Sequence, residues 1–368
     1  MKICIVGAGP AGSYAALLLA KQGHKVDVFE EHPEIGLPIQ CTGIVTKALF
    51  ELIEKDDYIL QTMNAIKINA PNHTVEMPLH EYIICRHKFD QHLAKKAQSA
   101  GATYHVEHRF VRTEDNKAVF RHKGEETSQV YDILIGADGP SSEVAKTAGL
   151  LTKQPVWVGV QATIEGKWDP HMFETWFGSA AAPGFFAWSV PESPTVSRVG
   201  VAGTHKPRMF FDKISKNMGK VKDMQGGPIP IYQKRAVHKD NVYLVGDAAG
   251  LVKATTGGGI ITGMLSAKAL ATALLKQEPY EKHLKGLRKE LRIHSLLRWL
   301  LNRFSDKDYD RLVRLMQNTK VKKILYEHPR EFPSKFLTKL LLAEPRFILF
   351  TKVLFQRKFA AQSMPSSA

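Results

Sequence analysis

Cysteine is scarce in this 368-residue chain: Cys4, Cys41 and Cys85 are the whole supply. Three thiols with no secretory leader ahead of them argue against a disulfide framework and for a reducing, cytoplasmic setting. Their spacing is not that of a metal site, so no metal is expected. Long apolar runs are missing too. Nothing approaches the roughly 20 uninterrupted apolar residues of a membrane span. Lys2 and the apolar stretch ending near Ala20 have the outline of a signal peptide, but three glycines and a proline interrupt it and a strand follows at once. Base-reading motifs and interleaved stacking aromatics are absent, which argues against nucleic acid as a partner. Internal repeats and low-complexity segments are absent as well. Acidic residues run short in one place only. From Lys276 onward 21 Lys and Arg face 9 Asp and Glu, so most of the net charge of +15 lies in that tail. Leu284, Leu287 and Leu291, and again Phe347, Phe350 and Leu354, recur there at helical spacing among Lys285, Arg288, Lys289, Arg292, Lys352, Arg357 and Lys358. Such a tail either lies on an anionic membrane surface, peripheral to its inner face, or packs on the protein body with its charges in water.

The first thirty residues organise the rest. Ile3-Cys4-Ile5-Val6 is an almost wholly apolar run, as in a parallel strand buried on both faces. It ends in Gly7-Ala8-Gly9-Pro10-Ala11-Gly12, a G-x-G-x-x-G turn. A helix over Ser13–Gln22 follows, then a strand over Lys25–Phe29 closed by Glu30. Gly7 permits the tight turn, Gly9 lets the backbone approach a pyrophosphate, and Gly12, after Ala11, lets the helix pack closely. The helix N-terminus presents free N–H groups, and Glu30 accepts from ribose hydroxyls. Strand, turn, helix, second strand and terminal acid fall in register, which points to dinucleotide binding.

Further on, 31–43 reads as a loop holding Pro33, Gly36 and Pro38, and Thr46–Glu54 as helical. Short alternating runs over Ile66–Ile84 suggest strands of a second sheet, punctuated by Pro71-Asn72 and Pro78. A helix runs to about Ala100. Strands are expected at Ala102–Val106, Lys117–Arg121 and Tyr131–Gly136, the last running into Ala137-Asp138-Gly139. Val156–Val201 has the aromatic and β-branched content of an antiparallel sheet. Asn241–Val245 is another apolar strand, ending in Gly246-Asp247-Ala248-Ala249-Gly250. Thr256-Gly257-Gly258-Gly259-Ile260 then leads into a helix through Ala273. Backbone N–H groups freed by those glycines, with the helix's positive end behind them, suit a flat ring that gains negative charge.

Three strand-to-turn motifs therefore stand far apart: Gly7–Gly12, Gly136–Gly139 and Gly246–Gly250. Together they resemble those of the flavoprotein superfamily of aromatic-ring hydroxylases and their reductase relatives. That resemblance, over about residues 1–275, implies FAD as cofactor. The first motif would take its ADP half, Asp138 and Gly139 would lie beside it, and Asp247 would meet the ribityl chain. Arg86, with Asp90 and Leu93, matches the Arg-led helix motif whose Arg reaches towards FAD. Within the superfamily the chain resembles geranylgeranyl reductases, including archaeal digeranylgeranyl lipid reductases. Pro38-Ile39-Gln40-Cys41-Thr42-Gly43 is similar to that family's cysteine loop near the flavin. Phe186-Ala187-Trp188-Ser189-Val190-Pro191 is similar to its substrate-cavity motif, with Val190 in place of the usual Phe and Glu192 where a Lys is common.

The resemblance implies an α/β fold: a three-layer Rossmann-like FAD domain (residues 1–75, 80–150 and 241–275), an inserted antiparallel substrate sheet (151–240) and a basic helical C-terminal region (276–368). It further implies an FAD-dependent reductase of isoprenoid C=C bonds, with NAD(P)H or ferredoxin as electron donor and a membrane lipid as substrate. Cys41, Gly258 and Gly259 would act at the flavin, Gln40 and Ile260 would touch the cofactor, and Phe186, Trp188 and Pro191 would line the substrate cavity. A flavin monooxygenase or halogenase of the same fold, or a non-catalytic prenyl-binding protein, are the alternatives. Two local readings stay open: Cys41 as site thiol or as small apolar filler, and Trp188 as cavity wall or as core.

Overall fold

The computed structural model describes residues 1–151 and 155–354; Arg357 and Lys358 of the basic tail lie outside the described residues. The chain opens with β1 (Lys2–Val6), α1 (Pro10–Lys21) and β2 (Lys25–Phe29). α1 starts with Pro10 at its first position, where a missing N–H costs nothing. Next come β3 (Ile44–Thr46), β4 (Ile59–Asn69), β5 (Thr74–Ile84), α2 (Arg86–Ser99) and β6 (Thr103–His105). Instead of the helix expected over 46–54 there is a short 3-10 turn, Lys47–Glu51. β7 (Arg109–Glu114), β8 (Lys117–His122) and β9 (Glu125–Val130) form a small meander ahead of β10 (Ile133–Gly136) and α3 (Glu143–Thr147). β11 (Val156–Glu165), β12 (Met172–Trp176), β13 (Ala187–Ser193), β14 (Val196–Gly203), α4 (Pro207–Ser215) and β15 (Lys220–Pro230) follow. The chain continues through β16 (His238–Lys239), β17 (Val242–Leu244), α5 (Ile260–Lys276), α6 (Tyr280–Leu301), α7 (Asp306–Leu315), α8 (Thr319–Glu327) and α9 (Leu337–Ala343).

One sheet has the order β16-β17-β10-β1-β2-β6, parallel except for β16 at its edge. Its strands are apolar on both faces because both are covered. α1 and α5 pack together against one face. The meander covers the other, where Phe29 of β2 stacks on Phe120 of β8 with ring centroids 4.0 Å apart. These are the three layers expected. Because β1, β10 and β17 are neighbours, the three glycine turns end side by side. Gly7 donates to Phe29 O (2.8 Å), Ala137 to Val6 O (2.8 Å) and Val245 to Gly136 O (3.0 Å), which ties each turn to the strand beside it.

The second sheet has the order β15-β11-β14-β13-β12-β4-β5-β3 and is antiparallel except for β12 against β4. This corrects the domain boundaries expected from the sequence. Residues 44–75 and 80–84, given there to the FAD-binding domain, contribute to three strands of the substrate sheet, which the alternating runs over Ile66–Ile84 suggest as a second sheet. The pairing that recruits them, Met172–Trp176 with Ala65–Asn69, joins segments about a hundred residues apart and leaves no local signal. Pro78 does not break β5 either. It sits opposite Ala65 at a register shift, the one place where a missing donor is harmless.

The tail is helical, as read, and much of it packs on the body. Leu284 and Leu291 are fully buried in the core that contains α5, so that stripe is interior. α7 and α8 cover β5, where Val313 packs with Val75 and Met77. Asp310 of α7 accepts from the Asn72 backbone N–H and Nδ2, both at 2.8 Å. No described helix is long and apolar enough to cross a membrane.

Gly12 fixes how closely α1 approaches β1. A methyl group there would overlap the Gly7 carbonyl oxygen and press on the Ala137 side chain. Gly12→Ala is expected to destabilise the apoprotein by about 1–3 kcal/mol, the usual cost of overpacking. Denaturant unfolding of the two apoproteins checks this.

Candidate functional site

A crevice runs along the carboxyl ends of β1, β2, β10 and β17, the place where open α/β sheets bind ligands. It has two chambers. One, of about 350 Å³, is lined by Gly7, Ala8, Gly9, Glu30, Arg86, Asp90, Ala137 and Asp138. The other, of about 450 Å³, is lined by Cys41, Asp247, Lys253, the 255–260 loop, Phe186 and Trp188, with Ile66, Ile68, Phe173, Phe177 and Phe185 making an apolar end. Gln40 lines both, so the two chambers adjoin.

The first chamber is built for a dinucleotide. No side chain caps the N-terminus of α1, which leaves its N–H groups for a ligand. A Cβ on Gly9 would meet nothing within 4 Å, so the space above the turn is free for a pyrophosphate. Glu30 closes the chamber, its carboxylate accepting from the Ala8 N–H (2.9 Å) with His32 Nδ1 at 2.6 Å. Asp138 stands in the wall with both oxygens engaged, one by Ser142 Oγ (2.6 Å) and one by the Val144 N–H (3.0 Å), so it also anchors the start of α3.

Arg86 stands in the wall of the first chamber. Its guanidinium forks onto Asp90 at 3.0 and 2.8 Å and also lies against the Cys41 thiol. Asp247 faces the second chamber. Burial pushes its carboxyl up to about 6, against the pull of Arg86. A desolvated acid with so little internal support suits a ligand that brings hydroxyl groups. α5 begins at Gly259 with no side-chain cap, so a second helix N-terminus opens here. The free space over Gly9, the two uncapped helices and the unsupported Asp247 together fit FAD.

Not every expected site residue reaches the crevice. Ala11, Gly12, Gly139 and Gly246 line neither chamber; they shape the turns behind it, and a methyl on Gly246 would meet the Ala11 Cβ at 2.8 Å. Pro191 is buried within β13 beside a register shift and does not line the chamber, because strand alternation puts it on the face of Ala187 and Ser189, opposite Trp188. Trp188 is both wall and core: it is 8% exposed, lines the chamber and donates from Nε1 to Gln161 Oε1 (3.1 Å). Cys41 stands in the wall, half-buried, with its sulfur accepting from the Gly43 N–H (3.4 Å).

Other residues of the site escaped sequence reading. Arg198, 5% exposed on β14, donates to the Cys41 carbonyl and pairs with Glu192 at 2.5 Å. The unusual Glu192 is thus the counter-charge of the arginine that holds the cysteine loop. Thr42 Oγ1 donates to Gln161 Oε1 (2.8 Å), fastening the same loop to β11. At the far wall Lys253 pairs with Glu331, a tail residue 78 positions away. Glu192 carried a signal in its departure from the family pattern, whereas nothing around Glu331 suggests a site. Among the described residues no group of His, Cys, Asp and Glu could hold a metal ion.

A parallel sheet with three glycine turns over a two-chambered crevice defines an FAD-binding oxidoreductase. A family model described as an FAD binding domain matches residues 1–210. A digeranylgeranylglycerophospholipid reductase of Methanothrix thermoacetophila is 30% identical over 88% of this chain and 93% of its own. One from Methanosarcina acetivorans is 33% identical over 74% of each chain. The crystal structure of a geranylgeranyl bacteriochlorophyll reductase-like protein of Thermoplasma acidophilum superposes with a TM-score of 0.84 at 25% identity, covering 96% of this chain and 98% of that one. A flavin-dependent brominase shares the fold alone, with a TM-score of 0.73 at 15% identity over 96% of this chain and all of its own. The chain belongs to the digeranylgeranylglycerophospholipid reductase family of FAD-dependent flavoproteins.

Gly9→Val would put a branched side chain into the open space above the first turn. The protein should fold with a melting temperature close to the parent's yet purify with little or no FAD. Flavin absorbance per mole of protein checks this, and stoichiometric FAD would contradict the pyrophosphate's position.

Proposed function

We propose that the protein saturates C=C bonds of the geranylgeranyl chains of a membrane lipid, taking one chain at a time into the second chamber. The observation that carries this is the apolar end of that chamber, Ile66, Ile68, Phe173, Phe177, Phe185 and Phe186, joined through Gln40 to the dinucleotide groove. When bound, FAD supplies hydride, and NAD(P)H or ferredoxin replenishes it. The protein's own residues do the rest. An unactivated alkene offers no oxyanion to stabilise, so holding the chain in place contributes most. The aromatic walls exclude water and hold the chain. The N–H groups of the 256–260 loop and the N-terminus of α5 oppose the negative charge that reduction brings to the ring. Incubating reduced protein with a geranylgeranyl lipid should yield products heavier by two hydrogens per bond. An oxygenated or halogenated product would favour the alternatives of the same fold.

Cys41 belongs to this chemistry in our reading. Arg198 and Thr42 hold its loop rigidly, and its sulfur stands beside Arg86 at the junction of the chambers. The thiol guides the approach of the alkene or delivers its proton. Cys41→Ser should keep fold and FAD while slowing reoxidation of the flavin by lipid in a single turnover. Reoxidation at the parent rate would leave Cys41 as packing.

The tail provides the membrane contact. α9 buries none of its residues, and Leu341, Leu342, Ile348 and Leu349 are exposed at 45, 78, 61 and 36%. Exposed Lys335, Lys339 and Lys352 surround them. An apolar patch ringed by cations suits an anionic bilayer, with about 1 kcal/mol of attraction per basic residue at the surface. The protein should co-sediment with anionic vesicles and not with neutral ones, and should be released as salt rises. Equal binding to both, or to neither, would contradict this role.

A further inference from the structure

The wall of the second chamber contains an ion pair that none of the chemistry above uses. Lys253 is 4% exposed and Glu331 is 2% exposed, with Nζ and Oε1 2.5 Å apart. Glu331 Oε2 accepts from Thr46 Oγ1 at 2.6 Å. The lysine is fixed to the glycine loop by its backbone: its N–H donates to Gly258 O (3.3 Å) and its carbonyl accepts from Gly257 N–H (2.8 Å). Its side chain runs directly behind Gly258, so a Cβ there would lie 3.0 Å from Lys253 Cε and 3.3 Å from Nζ. The pair therefore has a direction. The ammonium is at the loop, and the carboxylate is drawn away from it by Thr46.

Other charged groups stand around the pair. Arg330 pairs with the buried Glu81 at 2.9 Å, and burial pushes the Glu81 carboxyl up. Arg298 donates to the Ala254 and Thr255 carbonyls beside the loop, Asp247 stands against Gly259 at the loop's end, and His294 bonds Thr255 Oγ1 at 2.7 Å. Burial, with Lys253 adding to it, holds its imidazole down at about 4, so it is neutral. Burial opposes the charge on both partners: it lowers Lys253, which Glu331 pulls back up, while Lys253 and Arg330 keep the Glu331 carboxyl well below the usual range. Taking two such charges out of water is costly, and replacing a buried pair with neutral groups is often neutral or stabilising. Stability alone is thus a poor reason for this pair.

We propose that Lys253, held by Glu331, is a positioning residue that sets a positive potential behind the 256–260 loop and raises the reduction potential of bound FAD. The proposal rests on the reading that the flavin ring lies against this loop. Both positive ends, the ammonium and the N-terminus of α5, then face the place where reduction adds negative charge.

The test is the midpoint potential of bound FAD, measured anaerobically by dye equilibration on the holoprotein. The variants are Lys253→Met and the double variant Lys253→Met/Glu331→Gln, which removes the dipole without leaving a buried charge unpaired and so keeps the test available if the single variant does not fold. Each should lower the equilibrium constant for reduction at least tenfold, about 30 mV for a two-electron couple. A purely structural pair would change the melting temperature and leave the potential where it was, and that result overturns the proposal. Cys41→Ser serves as the positional control. If it perturbs the flavin absorption spectrum while the Lys253 variants leave the potential unchanged, the role of Lys253 alone falls. If neither site affects spectrum or potential, the placement of the ring falls with it.

Discussion

Three backbone hydrogen bonds, from Gly7 to Phe29, from Ala137 to Val6 and from Val245 to Gly136, hold the glycine turns level at one edge of the parallel sheet. Everything in the crevice depends on that alignment. Were β10 displaced from between β1 and β17, the three turns would face three different ligands or none. The alignment follows from strand order, and strand order follows from apolar runs that must be covered on both faces. Burial thus brings together residues more than two hundred positions apart. The same constraint bears on Ala11, Gly12 and Gly246, which line neither chamber and let the turns approach one another.

The second chamber is assembled differently. Its cysteine loop is a projecting irregular segment, and such a segment is only as well placed as its anchors. Arg198 and Gln161 come from adjacent strands of the substrate sheet and grip the loop through the Cys41 carbonyl and the Thr42 hydroxyl. The cofactor side of the site is thus set by backbone, whereas the substrate side is set by side chains of the second sheet. This division suits a chamber whose cofactor is constant and whose hydrocarbon partner is long and featureless.

Legibility from sequence divided along the same line. The first βαβ unit, the three turns and the helix after Gly259 could be read because each is a local pattern of apolar run and glycine. The alternation over Ile66–Ile84 suggests a second sheet, but its union with the 156–201 strands could not be read, since it is decided by a parallel pairing of β4 with β12 that no periodicity announces. Pro191 does not line the chamber because alternate residues of β13 face opposite sides of the sheet, and a contiguous motif carries residues of both faces. Glu331 was invisible for a simpler reason: an acid in a basic tail reads as solvated until the fold buries it against Lys253 and Thr46.

That last contact bears on the timing of synthesis. Thr46 and Glu331 are 285 residues apart, and Lys253 stands between them in the chain. A ribosome has therefore made both sheets, every glycine turn and the whole FAD groove before the carboxylate that completes the chamber wall emerges. Until then the nascent flavoprotein presents Lys253 without its Glu331 partner. The wall closes only when the tail folds back onto the body, so a molecule truncated late in translation would have its cofactor groove and an unfinished chamber.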